Sequence, residues 1–208
     1  MTTLAFAVAA TIKHDGRGGI ADLLCTPDEA HGWLREHEPQ LADVLGAPLP
    51  IELGRFLRPF REEILPTADE AWRELVRMRG AVRALFARAV APGAPSKADA
   101  DRLMDLQDAL RAVNQAADQL GTTYLDWADE PYTRWSSPAE DPIALLAGAV
   151  GRSAIDFLTG PDRRRLRACP AARCVKYFLQ EDPRQQWCSP SCGNRERVNR
   201  HYRKRTAG

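Results

Sequence analysis

Cys169-Pro170-Ala171-Ala172-Arg173-Cys174, followed after thirteen residues by Cys188-Ser189-Pro190-Ser191-Cys192, is the stretch on which the reading of this 208-residue chain turns. Two close cysteine pairs separated by a short span are the spacing of a structural zinc site. Each pair hangs two thiolates from one turn, and the intervening residues carry the second pair to the remaining corners of a tetrahedron. Both pairs are wider than C-x2-C, so reduced core cysteines and a disulfide remain competing accounts. The fifth cysteine, Cys25, stands alone near the N-terminus. The expectation is one structural Zn2+ held by Cys169, Cys174, Cys188 and Cys192.

The flanking residues fit a finger. Val175-Lys176-Tyr177-Phe178-Leu179 is β-prone and is expected to pair with Leu166 to Ala168 as a short hairpin, with Glu181-Asp182-Pro183 as its turn. Ser189-Pro190 reads as a helix cap followed by proline at the first helical position, setting Cys188 and Cys192 beside a helix N-terminus that stabilises negative charge. A basic helix follows. On it Arg197, Arg200 and Lys204 share one face with His201 beside them, while Val198 and Tyr202 form a narrow stripe expected to pack on the finger. Asn194, Arg195, Arg197, Arg200, His201, Arg203, Lys204 and Arg205 are the candidate nucleic-acid-binding residues. A solvated basic tail is the alternative.

Charge points the same way. The chain carries 29 Lys and Arg against 28 Asp and Glu, but 13 basic and 4 acidic residues fall from Pro161 onward, leaving 16 basic and 24 acidic before it. A basic module on an acidic body suggests a polyanion partner for the module alone. With 44% hydrophobic and 27% charged residues the composition is that of an ordinary globular chain. No run approaches the ~18 apolar residues of a membrane span, and no Lys or Arg precedes the apolar stretch Leu4 to Ile12 as a secretion signal requires. No membrane association and a cytoplasmic location are expected.

Working outward from the cysteines, the preceding residues read as helices. Asp141-Pro142 starts one with Ile143, Leu146, Val150, Ala154 and Phe157 inward, ending at Gly160. Tyr124 to Trp127 and Tyr132 to Trp135 read as an aromatic hairpin. Ser96 with Asp99 is expected to cap a helix turning Leu103, Leu106, Leu110, Val113 and Leu120 inward, with Gly121 as its left-handed stop. Thr67 with Glu70 opens a long helix with the stripe Trp72, Leu75, Met78, Val82, Leu85, Phe86 and Ala89. Leu53, Phe56, Leu57 and Phe60 are helically spaced across a kink at Pro59. Thr26-Pro27-Asp28-Glu29 is a capping box, with Ala30, Trp33 and Leu34 inward and Pro39 as terminator. His14 to Gly19 is a polar turn, since its glycines lack the Lys-Ser/Thr of a phosphate loop. Periodicity does not decide between strand and helix for Leu4 to Ile12. The fold class is α+β: a mainly α-helical N-terminal domain with a small β-hairpin, residues 1–160, and a zinc finger of hairpin and helix, residues 161–208.

His31 and His37 lie two turns apart, too far for a metal pair, and are expected at the surface. No Gly-x-Ser-x-Gly elbow occurs, nor a cysteine with His and acid partners, so no enzyme is expected.

The string Trp187-Cys188-Ser189-Pro190-Ser191-Cys192-Gly193-Asn194-Arg195 resembles the CGNR-type zinc finger, named for the residues that here are Cys192 to Arg195. Asp22-Leu23-Leu24-Cys25-Thr26-Pro27-Asp28-Glu29 is similar to the early D-L-L-x-T-P motif of the ABATE domain, a stress-induced transcription regulator domain that precedes such fingers. The resemblance covers nearly the whole chain. It implies a transcriptional regulator that binds double-stranded DNA through the finger, with a helical domain that senses a small-molecule effector or mediates assembly. A finger that docks a protein or RNA is the alternative. Two departures stand out. Ala7 and Ala10 replace the Asp and Asn of the family's opening L-x-L-D-F-x-N-T, removing any polar role there. Gln185 and Gln186 stand where basic residues usually precede the Trp, weakening one expected phosphate contact without touching the metal.

Overall fold

Thr3 accepts a hydrogen bond from the Phe6 amide and so starts the first helix, α1 (Leu4–Ala9), which buries Leu4, Ala5, Val8 and Ala9. The computed structural model describes residues 3–15, 19–46, 49, 51–57, 65–99, 103–127, 131–136 and 139–206, with the backbone alone for residues 51, 52, 56, 65–67, 126, 132–136, 201, 203, 204 and 206. The apolar opening stretch thus divides into both alternatives, because β1 (Ile12–His14) follows α1 and pairs antiparallel with β2 (Ile20–Asp22) across the polar turn. Gly16 and Gly18 of that turn lie outside the described residues.

The capping box at Thr26 and Glu29 is present, with both reciprocal hydrogen bonds, and starts α2 (Pro27–Glu36). Pro39 does not end the helical path. Proline fits the first turn of a helix, and the chain bends at His37 into α3 (Glu38–Leu45). His31 is buried at 4% exposure, contrary to the expected surface position, because it shares the inner face of α2 with Ala30 and Leu34. His37 stacks on Trp33 at 4.2 Å and is half-buried. Helix α4 (Ile51–Phe56) follows with Leu53 buried, while Pro59 and Phe60 lie outside the described residues. Helix α5 (Leu65–Ala89) begins before Thr67, which therefore sits inside the first turn and is not its cap. Its stripe is as expected: Leu75, Met78, Val82, Leu85 and Phe86 are buried, and Trp72 donates to the Leu24 carbonyl at 2.8 Å.

The next helix corrects the sequence reading twice. Ser96 and Asp99 do not cap it, since α6 (Leu106–Asp118) starts at Asp105, whose carboxylate accepts from the amides of Gln107 and Asp108. Of the expected stripe, Val113 and Leu120 are buried and Leu106 packs against the core, but the rest of the inner face is built of alanines. Ala109, Ala112, Val113 and Ala116 point inward, while Leu103 and Leu110 are exposed. Gly121 adopts φ 70°, the left-handed stop. Strands β3 (Thr122–Trp127) and β4 (Pro131–Ser136) form the aromatic hairpin, which leaves Leu125 and Trp127 exposed.

Helix α7 (Pro142–Thr159), capped by Asp141, is the hub. It packs against α1, α3, α4, α5 and α6. Among the described residues it alone is long and apolar enough to cross a membrane, but its apolar residues are buried as core. A 3-10 turn (Pro161–Arg165) leads to β5 (Leu166–Ala168), which pairs antiparallel with β6 (Tyr177–Leu179), and α8 (Pro190–Thr206) follows. The hairpin arms are those expected. Glu181 to Pro183 follows the hairpin instead of closing it, because its turn is the first cysteine pair itself.

Candidate metal centre and basic helix

Cys169 leaves β5, and its amide donates to the Lys176 carbonyl at 3.0 Å; Cys174 returns toward the Ala171 carbonyl at 2.9 Å. The first pair therefore sits on a tight knuckle between two paired strands. The second pair rests on a helix start: the Cys192 amide donates to the Ser189 hydroxyl at 3.3 Å, the cap expected from Ser189-Pro190. Between the pairs, Gln180 donates to the carbonyls of Pro183 and Gln185, and Gln185 donates to that of Trp187. Gln185 is thus a strut of the turn that presents Cys188. Gly193 follows the last cysteine inside α8, where a Cβ would stand 3.2 Å from the Trp187 ring. The glycine seats the tryptophan against the helix.

The four Sγ atoms of Cys169, Cys174, Cys188 and Cys192 lie within 4.8 Å of one another. Cys188 is 3.6 Å from both Cys174 and Cys192. With Zn–S bonds of about 2.3 Å, the edge of a tetrahedron is roughly 3.8 Å, so the donor set fits one zinc ion. Its electrostatics fit as well. Hydrogen bonds from Cys174 and Cys188 pull the Cys169 thiol down to about 2, and the same hydrogen bond to Cys169 pushes Cys174 up to about 11. Cys188 is pushed up further by Cys169 and Cys174. Cys174 and Cys188 thus hold protons that a divalent cation displaces. Cys25 is exposed and takes no part.

The knuckle is clasped by the body. Lys97 donates to the carbonyls of Cys169, Pro170 and Ala171 at 2.9 to 3.3 Å. Ser96 donates to the Val175 carbonyl at 2.7 Å, and Tyr177 to the Asp99 carboxylate at 2.7 Å. Asp99 also pairs with buried Arg83, whose guanidinium donates to the Ala9 carbonyl as well. Burial, aided by the Asp99 charge, pushes the Tyr177 hydroxyl well above its ordinary value. Leu166 and Tyr177 belong to the body's apolar core, with the Tyr177 ring edge-on to Phe86 at 5.6 Å. Sequence reasoning missed Arg83, Ser96, Lys97 and Asp99. Their only signal was a Ser-x-x-Asp pattern, which a helix cap shares.

On α8 the exposed cations are Arg197, Arg200 and Arg205, with Arg195 half-buried. Asn194 is exposed and accepts from Arg197 at 2.7 Å. The side chains of His201, Arg203 and Lys204 lie outside those described. Val198 and Tyr202 do not pack on the finger: they are 52% and 61% exposed. The finger's own core of Cys169, Ala171, Cys174, Phe178 and Cys192 reaches only the first turn of α8. Glu196 accepts from the Ala172 amide at 2.7 Å, tying α8 to the knuckle.

Comparison with known proteins agrees with this geometry. Residues 165–205 match the CGNR zinc finger. Among curated proteins none matches the chain. Residues 2–161 match ABATE, described as "Putative stress-induced transcription regulator". The helical body around α7 and the four-cysteine finger clasped to it are therefore the two parts of one known architecture, and the chain belongs to the ABATE family.

Proposed function

We propose that this protein is a cytoplasmic, DNA-binding transcriptional regulator of stress responses, in which zinc is structural and α8 lies against the phosphate backbone. The observation that carries the reading is the exposure of Arg197, Arg200 and Arg205 on a helix whose first turn is anchored by Cys192. Lys and Arg on a rigid helix neutralise phosphates and release counterions, so affinity falls with salt at a slope of about −0.9 per contact on duplex DNA. Four thiolates fill the coordination of zinc, which suits scaffolding and not catalysis. A small-molecule effector of the helical domain is a weaker element of the reading. The cavity beside α1, lined by Thr3, Gln40, Asp43 and Ser153 among others, holds about 170 Å³, below the ~300 Å³ of ordinary ligand sites.

A protein-docking finger is the second reading, favoured by exposed Val198 and Tyr202 on the same helix. Selection of bound fragments from a random duplex pool separates the two. Recovery of one enriched motif, and a salt slope flattened by roughly three contacts in the Arg197, Arg200 and Lys204 triple alanine variant, supports DNA binding. An unchanged slope in a folded, zinc-loaded triple variant favours protein docking.

A further inference from the structure

A cavity of about 300 Å³ opens where β1 of the helical body meets the start of α8. Lys13 and His14 line it from β1, Lys176 from the approach to β6, and Ser189, Ser191 and Arg195 from α8, with zinc-ligand cysteines forming the floor. Three cationic side chains from three separate segments converge there, and among the described residues no carboxylate lines it. The acids next to these lining residues in the chain have other partners: Glu196 accepts from the Ala172 amide and Asp15 from the Gly19 amide. A zinc tetrathiolate is doubly negative, so three cations exceed what it neutralises and leave the cavity positive. Lys13 and Arg195 are half-buried and Lys176 is exposed, so the charges border an open space. Ser189 accepts from the Cys192 amide, leaving its hydroxyl proton for another acceptor.

We propose that this cavity is a phosphate-binding pocket with Lys13, Lys176 and Arg195 as its charged ligands. Under the function proposed above, its occupant is a backbone phosphate of DNA. The acidic body then enters the interface through Lys13, and the finger's position on the body sets the pocket's shape. Free phosphate compounds share this chemistry, and the test separates the sources.

The test uses full-length, zinc-loaded protein and the Lys13→Gln and Lys176→Gln variants. Three quantities are measured: zinc content, binding of a short duplex across a salt series by fluorescence anisotropy, and binding of inorganic pyrophosphate by calorimetry. The expected result is stoichiometric zinc throughout, weaker duplex binding in each variant, and a salt slope less steep by about 0.9 for each removed contact. Wild-type protein that binds no duplex, but binds pyrophosphate in a manner lost in both variants, rejects the DNA reading and keeps the pocket for a free phosphate compound. Duplex binding with the same affinity and slope in folded variants overturns the pocket, as does failure to bind either probe. Loss of zinc from the variants also overturns it, since the lysines would then serve only as counter-charges to the thiolates.

Discussion

Cys188 lies between Cys174 and Cys192, 3.6 Å from each, while Cys25 is exposed with its thiol against the Asp22 carbonyl. Cys188→Ser removes a thiolate from a four-sulfur set and is expected to lose zinc, whereas Cys25→Ser is expected to keep one zinc per chain; elemental analysis of the purified variants checks both. The four ligands were legible in the sequence because ligation here is a matter of local spacing. Asp22 was legible only as part of a motif. In the fold it forms a bidentate pair with Arg79 of α5. Burial raises its pKa, but hydrogen bonds from Arg79 and the Leu24 amide outweigh that, holding the carboxyl below its ordinary 3.8. A carboxylate lowered by folding stabilises the fold above its unfolded pKa, and this contribution is lost as pH falls through the folded value. Asp22→Asn is therefore expected to be less stable than wild type at pH 7, with the difference shrinking below about pH 4. Urea unfolding at a series of pH values measures it, and a difference independent of pH would reject the account.

The contact between α6 and α7 explains why Leu110 of the expected stripe lies outside. A Cβ on Gly151 would stand 2.8 Å from the Val113 carbonyl oxygen, and one on Gly148 would stand 2.7 Å from Leu120. Helices this close admit only small residues between them, so Ala109, Ala112 and Ala116 take the inner face of α6 and Leu110 is left outside. Apolar periodicity weighs large residues most, and so it found Val113 and Leu120 but wrongly added Leu103 and Leu110 to the inner face. Helix α5 packs with large side chains, and there the same reasoning held. Gly151→Ala is expected to destabilise by about 1–3 kcal/mol through overpacking against backbone, while Leu110→Ala changes stability by no more than about 0.5 kcal/mol. Urea denaturation of the two variants tests the pair of values.

At the scale of the molecule, the finger is seated in the body. Leu166 and Tyr177 are 1% and 5% exposed within the body's core, and the buried Arg83–Asp99 pair receives Tyr177 as a further partner. The charge boundary at Gly160 suggested an independent helical domain, yet cutting there takes the Tyr177 ring away from Phe86 and strips Asp99 of the Tyr177 hydroxyl. Residues 1–160 alone are expected to melt at a lower temperature and less cooperatively than the full chain. Chelating zinc from the full chain is expected to shift the main transition, because the knuckle carbonyls grip Lys97. Circular dichroism melts read both, and a truncated chain with the full midpoint would show the docking to carry little stability.

What the sequence by itself determined is whatever depends on neighbours along the chain: the two cysteine pairs, the capping box at Thr26 and the proline starts, the aromatic hairpin and the finger's hairpin arms, and the cation-rich helix after Cys192. Their interactions close over a few residues, so spacing alone specifies them. The clasp of Arg83, Ser96, Lys97 and Asp99 on the knuckle, the alanine seam of α6, the exposure of Val198 and Tyr202 and the placing of Lys13 and Arg195 on one cavity were decided only by the tertiary structure. Each joins segments tens of residues apart or depends on how closely two elements approach, and a buried charge finds its partner through the fold and not along the chain.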